Sequence, residues 1–321
     1  MRNSRVWLKA ALWMVLVGGV VLAVVMTALG WDLSRLSTEN YETREYPVTE
    51  DITSLDVNTL AAEVLLIPSE GDECRVVCYE QDKVRHTVAV KDGCLVIEAN
   101  DTRKWYEYIG INFESPRVSV YIPAGEYAAL SVRSDTGRVE IPGDFGFESL
   151  GIEVDTGDVS CLASVAGAAR IRTSTGDITV SDATVGSLEL SASTGSVTVT
   201  EVVCAGDVSV GVSTGRATLE GLVCKNLTSD GGTGSIHLKG VAADGQMRIT
   251  RGTGGVTLDG SDAKEIDIET GTGSVEGSLL SGKDFVADSG TGSVKVPESV
   301  TGGGRCRIST GTGSINIWIL E

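Results

Sequence analysis

The chain has 321 residues, of which 41% are hydrophobic but only 5% are aromatic, and 40 are glycine. This composition can bury a core but favours a thin one, because large rings are scarce. The formal net charge of −18 repels phosphate backbones, which argues against a nucleic-acid-binding protein and favours neutral or cationic partners.

The N-terminal segment is typical of a single-pass membrane anchor. Residues 1–9 carry Arg2, Arg5 and Lys9 without an acidic side chain, and residues 10–31 contain no charged side chain. A helix of that length rises about 33 Å, enough to cross the hydrocarbon core of a bilayer. The positive-inside rule then predicts a cytoplasmic tail at 1–9 and an ectodomain outside. A cleaved signal peptide is the alternative, although its apolar part is normally shorter.

The next two segments lack a regular repeat. Residues 32–50 are polar without a sustained period, which predicts a spacer between the membrane and a folded domain. Residues 51–127 contain several short β-type runs and an aromatic stretch, and they predict N-terminal β rungs that cap the membrane-proximal end. Around Ala61-Ala62 the apolar spacing matches the later repeats, so one early rung is expected there.

Residues 128–321 are built from a short repeat. Ten of the Thr-Gly pairs in this segment follow one another at intervals of 19 to 21 residues. A period of this length indicates a solenoid in which each repeat forms one coil. The threonines are Thr136, Thr156, Thr175, Thr194, Thr214, Thr233, Thr253, Thr272, Thr291 and Thr312.

Apolar and polar residues alternate on both sides of each Thr-Gly. The third residue after the threonine is apolar in every copy, the fourth is polar, and the sixth residue before it is again apolar. A period of two with one buried face predicts a strand on each side of a glycine corner. The predicted fold is therefore all-β: one transmembrane helix, then a parallel β-solenoid of about ten or more two-strand rungs. A hairpin meander would tolerate loops of variable length, so the equal spacing disfavours it.

The seven cysteines invite a disulfide or metal interpretation, because the ectodomain lies outside the cytoplasm. Cys204 and Cys224 occupy a column of small side chains, so buried free thiols are expected. A bridge between these two stays possible, since stacked strands are about 4.8 Å apart. The absence of a Cys-x-x-Cys pair argues against zinc. The set is Cys74, Cys78, Cys94, Cys161, Cys204, Cys224 and Cys306.

Catalytic and metal-binding residues are not predicted. Of the two histidines, His86 and His237, the second falls in an outward-facing column and is expected on the surface. Thr-Gly-Asp at 156–158 and 175–177 resembles a calcium turn, but the other copies place Ser, Gly or Arg at the third position. The sequence thus predicts no catalytic residue, no metal ligand and no cofactor.

A basic-in anchor, a polar spacer and rungs of the form Thr-Gly-x-Ile/Val-x-Val/Leu resemble the bacterial putative-adhesin, or toast-rack, β-solenoid family of Lia-type cell-envelope stress proteins. The resemblance covers residues 45–321. It implies a non-enzymatic protein of the bacterial cell membrane that binds envelope polymers or a membrane protein partner, with envelope-stress sensing as a further role. The alternative function is a carbohydrate-active parallel β-helix enzyme. Such an enzyme needs long loops, for which only residues 100–127 leave room.

The candidate interaction patch is the aromatic stretch "WYEYIGINF" at 105–113. One interpretation is that these rings plug the first rung of the solenoid. The other is that they are exposed on a loop and stack against sugar rings or a protein partner, because rigid rings give contact area at low entropic cost. The patch consists of Trp105, Tyr106, Tyr108 and Phe113.

Overall fold

A computed structural model describes residues 2–28, 30, 41–105 and 114–320. Helix α1 (Arg2–Ala28) is followed by a domain in which every regular element among the described residues is a strand, apart from a helical turn at Trp105. Within α1, Ala11–Ala28 is long and apolar enough to cross a membrane, with a mean hydropathy of 2.4. The predicted helix is confirmed, and its apolar side chains are largely exposed rather than packed on the strands.

The strands divide into an N-terminal group and a repeating group. The N-terminal strands are β1 (Tyr41–Val48), β2 (Ser54–Thr59), β3 (Glu63–Ser69), β4 (Cys74–Gln81), β5 (Val84–Lys91), β6 (Cys94–Asp101) and β7 (Arg117–Pro123). The repeating strands are β8 (Gly125–Thr136), β9 (Val139–Ile141), β10 (Phe145–Thr156), β11 (Val159–Cys161), β12 (Ser164–Thr175), β13 (Ile178–Ser181), β14 (Thr184–Thr194), β15 (Val197–Thr200), β16 (Val203–Cys204), β17 (Asp207–Thr214), β18 (Ala217–Glu220), β19 (Val223–Cys224), β20 (Asn226–Thr233), β21 (Ile236–Lys239), β22 (Ala242–Thr253), β23 (Val256–Thr272), β24 (Val275–Leu279), β25 (Asp284–Thr291), β26 (Val294–Lys295), β27 (Arg305–Thr312) and β28 (Ile315–Ile319).

Stacked rungs form the parallel β-solenoid that the repeat predicts. Strands before Thr-Gly pair with one another in parallel, as β12 does with β10 and β14, and strands after it form a second parallel ladder, as β13 does with β11 and β15. Each rung also has a second corner, which leads from the strand after Thr-Gly into the next long strand. In two rungs it contains a separate two-residue strand, β16 or β19, and in others a register shift inside the long strand.

The core is a set of aliphatic columns between the ladders. Val197 stacks between Ile178 and Ala217, and all three are at most 1% exposed. Their polar neighbour Thr198 lies on the outward face and is half-buried. The alternation seen in the sequence therefore corresponds to inward and outward faces of each strand.

The corner glycines are needed because backbone stacks directly on backbone there. Gly215 has φ +145, and a Cβ built on it would lie 1.8 Å from the carbonyl oxygen of Gly195 in the rung below. The Gly195 N–H donates to the carbonyl oxygen of Thr214 at 3.0 Å. Any side chain at Gly215 would separate the two corners, so the repeat of Thr-Gly follows from close approach as well as from conformation.

The chain does not add its N-terminal rungs in sequence order. Strands β2 and β3 pair in parallel with β8 and β9 on one side, with Leu55 opposite Leu130 and Val64 opposite Val139. On the other side they pair in parallel with β6 and β7. The early rung predicted around Ala61-Ala62 is confirmed. Beyond it, β5 and β4 run antiparallel to β6 and β7 and cover that end.

Strand β1 corrects the predicted spacer. Residues 41–48 pair antiparallel with β4 along the whole strand, whereas the sequence predicted an irregular spacer over 32–50. Tyr46 and Val48 pack against the core while Glu45 is exposed. An edge strand is held mainly by backbone hydrogen bonds and needs few apolar side chains, so its composition resembles that of a linker. Residues 31–40 lie outside the described residues.

The last two rungs at the C-terminal end also stack in an order that differs from their order in the sequence. Strand β23 pairs with β27 rather than with β25, and β25 pairs with the other side of β27. This order places Arg307 beside Asp267, and Arg305 beside Asp284. If the rungs stacked in the order of the sequence and kept the same register, the acidic strands β23 and β25 would be neighbours. Glu265 would then lie near Asp284. Because like charges on neighbouring strands destabilise a sheet, the basic strand β27 is favoured between two acidic ones.

Replacing Arg307 by glutamate is therefore expected to lower the free energy of local unfolding of the C-terminal rungs by about 1 kcal/mol. The reason is that the new carboxylate would lie beside Asp267. Native-state hydrogen exchange should show reduced protection for residues 284–319 and unchanged protection around 197–214. Arg216→Glu is the control, since this exposed arginine lies in a middle rung between Ser196 and Ser235. Equal loss of protection in both variants would contradict the electrostatic explanation of this stacking order.

Candidate interaction site at the aromatic corner

The aromatic stretch lies in the connection between two stacked strands, β6 and β7. Strand β6 ends at Asp101 and β7 begins at Arg117, and these two strands stack in parallel on β2 and β3. The segment 102–116 is called the aromatic corner below, and its described ends, 102–105 and 114–116, lie beside the Ala61-Ala62 corner of the next rung. The regular rungs have a two-residue Thr-Gly turn at the equivalent place.

Trp105 is the one predicted patch residue among those described. Its side chain is 79% exposed, so it does not fill the interior of the rung. That interior is filled by aliphatic side chains, including Leu95, Ile97 and Val118, each 0% exposed. Tyr106, Tyr108 and Phe113 lie outside the described residues.

Two nearby aromatic residues are structural. The guanidinium of Arg75 lies 4.5 Å from the centre of the Tyr121 ring, a cation–π contact. Tyr127 is buried against Phe145 and Phe147 and donates its hydroxyl to the carbonyl oxygen of Pro123 at 2.7 Å. These two rings stabilise the first regular rungs, so they are not counted in the candidate interaction patch.

Hydrogen bonds fix the first end of the aromatic corner. The N–H and the hydroxyl of Thr102 both donate to the carbonyl oxygen of Lys83 at 2.9 Å. Arg103 forms a two-point ion pair with Asp101, with Nη2 2.7 Å from Oδ2 and Nε 3.0 Å from Oδ1. Trp105 thus follows a segment that is held to β5 and β6.

The second end is fixed by tyrosines of the cap. Tyr41 donates its hydroxyl to the carbonyl oxygen of Glu114 at 3.1 Å, and Tyr79 donates its hydroxyl to the Glu114 carboxylate. The two tyrosine rings stack with their centres 5.0 Å apart. Hydrogen bonding to Glu114 raises the pKa of Tyr79 to about 12. Strand β1, which the sequence did not predict, therefore helps to hold the candidate site.

A cleft of about 320 Å³ lies between the described ends of the aromatic corner and the neighbouring glycine corner. Its lining includes both signs of charge. Glu63 pairs with Arg117 at 3.0 Å, and Arg138 pairs with Glu140 at 3.2 Å. The cleft is lined by Ala61, Glu63, Gln81, Arg103, Glu114, Ser115, Pro116, Thr136, Gly137 and Arg138.

A buried polar cluster lies below this cleft, in the hairpin of β4 and β5. Cys78, Glu80 and His86 are 0%, 1% and 4% exposed. The backbone N–H of His86 donates to Glu80 Oε2 at 2.6 Å, and His86 Nδ1 lies 2.9 Å from the same oxygen. His86 Nε2 lies 3.0 Å from Thr59 Oγ1. Burial and the nearby Glu80 raise the pKa of the Cys78 thiol to about 12.

The sequence analysis did not find this cluster. Cys78 and Glu80 are two residues apart, so they share a strand face, and His86 follows after a tight hairpin turn. Without the pairing of β4 and β5, this spacing did not distinguish a cluster from three separate residues. His237, by contrast, is half-buried in the outward column between Thr218 and Thr257, as predicted.

The other cysteines behave as buried or half-buried small side chains. All seven lie in the described residues and are free thiols, including Cys204 and Cys224, for which a bridge was left open. Burial raises the pKa of Cys161 to about 11 and of Cys306 to about 12. Buried thiols of this kind are poor nucleophiles, because only the thiolate reacts efficiently.

Comparison with known families agrees with this architecture. The model of the Toastrack DUF4097 family matches residues 52–210 and 205–321. The chain belongs to the Toastrack family. The two matches together cover the Toastrack chain from the first stacked rung, β2, to the C-terminal end. They include the aromatic corner, the cleft and the buried cluster.

Solved structures similar to this Toastrack chain include three described as putative adhesins. The protein from Bacteroides fragilis is 15% identical, with 87% of this chain and 97% of that chain covered and a TM-score of 0.41. The proteins from Parabacteroides distasonis and Parabacteroides merdae are 12% and 10% identical, each with 88% and 98% covered and a TM-score of 0.45. No curated protein is similar at a significant level.

Proposed function

We propose that the chain is a membrane-anchored, non-enzymatic interaction module that binds a sugar-containing polymer of the bacterial cell envelope through its aromatic corner. The observation that carries this proposal is the exposure of Trp105, which follows two residues after Arg103 in the lining of the cleft. An exposed indole that follows a fixed segment can stack on the apolar face of a sugar ring, while the cleft supplies hydrogen-bond donors and acceptors. Tyr106, Tyr108 and Phe113 are proposed to extend the same surface.

The proposed topology has residues 1–9 in the cytoplasm, a span within residues 10–31, and the solenoid outside. The basic residues at the start of α1 support this orientation. The charge of the ectodomain favours a neutral polymer over a polyanionic one such as nucleic acid. Envelope-stress sensing is a more specific role that the same arrangement could serve, with an external ligand bound by an anchored domain.

A binding role is favoured over the carbohydrate-active enzyme because of how the cleft carboxylates are engaged. Glu63 accepts hydrogen bonds from Arg117, and Glu114 accepts one from Tyr79. A glycosidase normally uses two carboxyl groups, one protonated as general acid and one ionised, facing each other across the substrate. Among the described residues the cleft carboxylates are instead part of the scaffold of the aromatic corner.

Trp105→Ala is expected to weaken binding to isolated bacterial cell-wall polysaccharide about tenfold without changing the melting temperature. The loss corresponds to removal of one stacking contact at the centre of a small interface. Retention of the full-length protein in detergent on cell-wall material measures it. The triple variant Trp105→Ala, Tyr106→Ala, Tyr108→Ala should abolish retention.

Trp318→Ala is the matched control, because Trp318 is 47% exposed on β28, near the opposite end of the solenoid. This variant should retain full binding. Equal retention of the Trp105 variant and the wild type would refute the proposed site. A triple variant that melts several degrees lower would show that the rings are structural.

A further inference from the structure

We propose that Cys78, Glu80 and His86 form a binding site for one divalent transition-metal ion, with Zn²⁺ as the best match, which locks the hairpin of β4 and β5 onto the solenoid. Thiolate, carboxylate and imidazole are the three donor types that zinc uses in proteins. This inference does not depend on the proposed polymer binding.

The geometry of the donors suits a single ion. One donor atom from each residue lies within 4.8 Å of the other two. Tetrahedral coordination with bonds of about 2.0 to 2.3 Å separates donor atoms by about 3.5 Å. Small side-chain rotations would therefore bring the three donors to one ion, while the backbone pairing of β4 with β7 and of β5 with β6 stays intact.

Glu80 has an unused donor atom in a buried position. Its Oε2 accepts from His86, but Oε1 has no hydrogen-bond partner among the described residues. The nearest cation is Arg44, whose Nε lies 3.6 Å from Oε1 and whose Nη2 also pairs with Glu42 at 2.9 Å. A buried carboxylate oxygen without a hydrogen bond is unfavourable, and coordination to a metal ion would satisfy it.

His86 is already oriented by a further partner. A metal-binding histidine normally uses one ring nitrogen for the ion and donates a hydrogen bond from the other, which holds the ring in place. Thr59 Oγ1, 3.0 Å from Nε2, can accept that bond and leave Nδ1 for the ion. Since Thr59 belongs to β2, the ion would connect the hairpin to the first stacked rung.

Charge and access are also consistent with a divalent ion. Deprotonated Cys78 and ionised Glu80 would together neutralise its charge, and the displaced thiol proton would pass to solvent. A small cavity of about 30 Å³ reaches His86 and Thr59 at the edge of the cluster. Ala61, Gln81, Arg103 and Pro116 line both this cavity and the larger cleft, so the cleft provides an entry path.

Titration of the metal-free, untagged full-length protein in detergent with Co²⁺ tests the site. We expect saturation at one ion per chain, a thiolate-to-cobalt charge-transfer band and intense visible bands of tetrahedral cobalt, all removed by added Zn²⁺. Saturating Zn²⁺ should raise the melting temperature by several degrees, because it binds only the folded state. Absence of a thiolate band would overturn the proposal.

Variants assign the band to this cluster. Cys78→Ser should abolish it, and Cys94→Ser, in a half-buried cysteine of β6 outside the cluster, should leave it unchanged. A band that survives Cys78→Ser would overturn the assignment. If Cys78→Ser does not fold, X-ray absorption of the zinc-loaded wild type decides: one sulfur at about 2.3 Å with nitrogen or oxygen ligands is expected, and a shell without sulfur would overturn the site.

Discussion

Replacing Val197 by aspartate is expected to lower the free energy of unfolding of the β-solenoid by several kcal/mol. Val197 is 0% exposed and stacks between Ile178 and Ala217. The new carboxylate would be buried in an aliphatic column without a partner, and either ionisation or protonation of that group is costly there. Urea unfolding of the full-length protein in detergent, followed by circular dichroism, measures the change.

Thr198→Asp is the matched control for this prediction. Thr198 is the next residue in the same strand, but its side chain faces outward and is flanked by Thr179 and Thr218. A carboxylate there stays in contact with water, so a change of less than about 1 kcal/mol is expected. Equal destabilisation by the two variants would show that β15 does not have one buried and one solvated face.

Gly215→Ala is expected to be as damaging as the core substitution, although it adds a single methyl group. That carbon would lie 1.8 Å from the carbonyl oxygen of Gly195, far inside van der Waals contact, and the residue has φ +145. Relief requires the two stacked corners to separate, which would disturb the hydrogen bonds on both sides of the turn. We expect a loss of about 3 kcal/mol or more in the same urea experiment.

Gly151→Ala is the control for Gly215→Ala, because it replaces a glycine that makes no close backbone contact. Gly151 lies on the outward face of β10, and a Cβ at this position would have nothing within 4 Å. Alanine should therefore change stability by less than about 1 kcal/mol, in the stabilising direction, because it restricts the unfolded chain. If Gly215→Ala is equally mild, close backbone approach does not explain the repeated corner glycine.

The loss of stability caused by a substitution should depend on the position of its rung in the stack. Each rung contacts mainly its immediate neighbours, so the free energy of a solenoid is approximately a sum over rungs and their interfaces. Val197 and Gly215 lie in middle rungs, where both faces are covered by other rungs. Their substitution removes two interfaces at once, whereas the change at Arg307 affects the end of the stack.

The candidate interaction site was predictable in composition but not in position. Local enrichment of aromatic residues indicated 105–113 as a binding patch, which stays a prediction; of its four aromatic residues the structure describes Trp105, and this residue is exposed. The position of the strands that flank this stretch depends on the pairing of β6 with β2 and of β7 with β3, which joins segments some 40 and 54 residues apart. No periodicity in the sequence reports such a pairing.

The sequence by itself determined the length of each rung and which of its side chains face the core. Ten Thr-Gly corners at nearly equal spacing set the length of each coil, and the alternation around Val197 and Thr198 specified which side chains face inward, because both are local properties of strands and turns. Only the tertiary structure decided the order in which rungs stack at the two ends, the pairing of β1 with the cap, and the meeting of Cys78, Glu80 and His86. Rungs with similar columns can stack on one another in more than one order, so the apolar pattern leaves that choice open. Contacts between distant segments, such as the placement of Arg307 beside Asp267, decide which order has the lowest free energy.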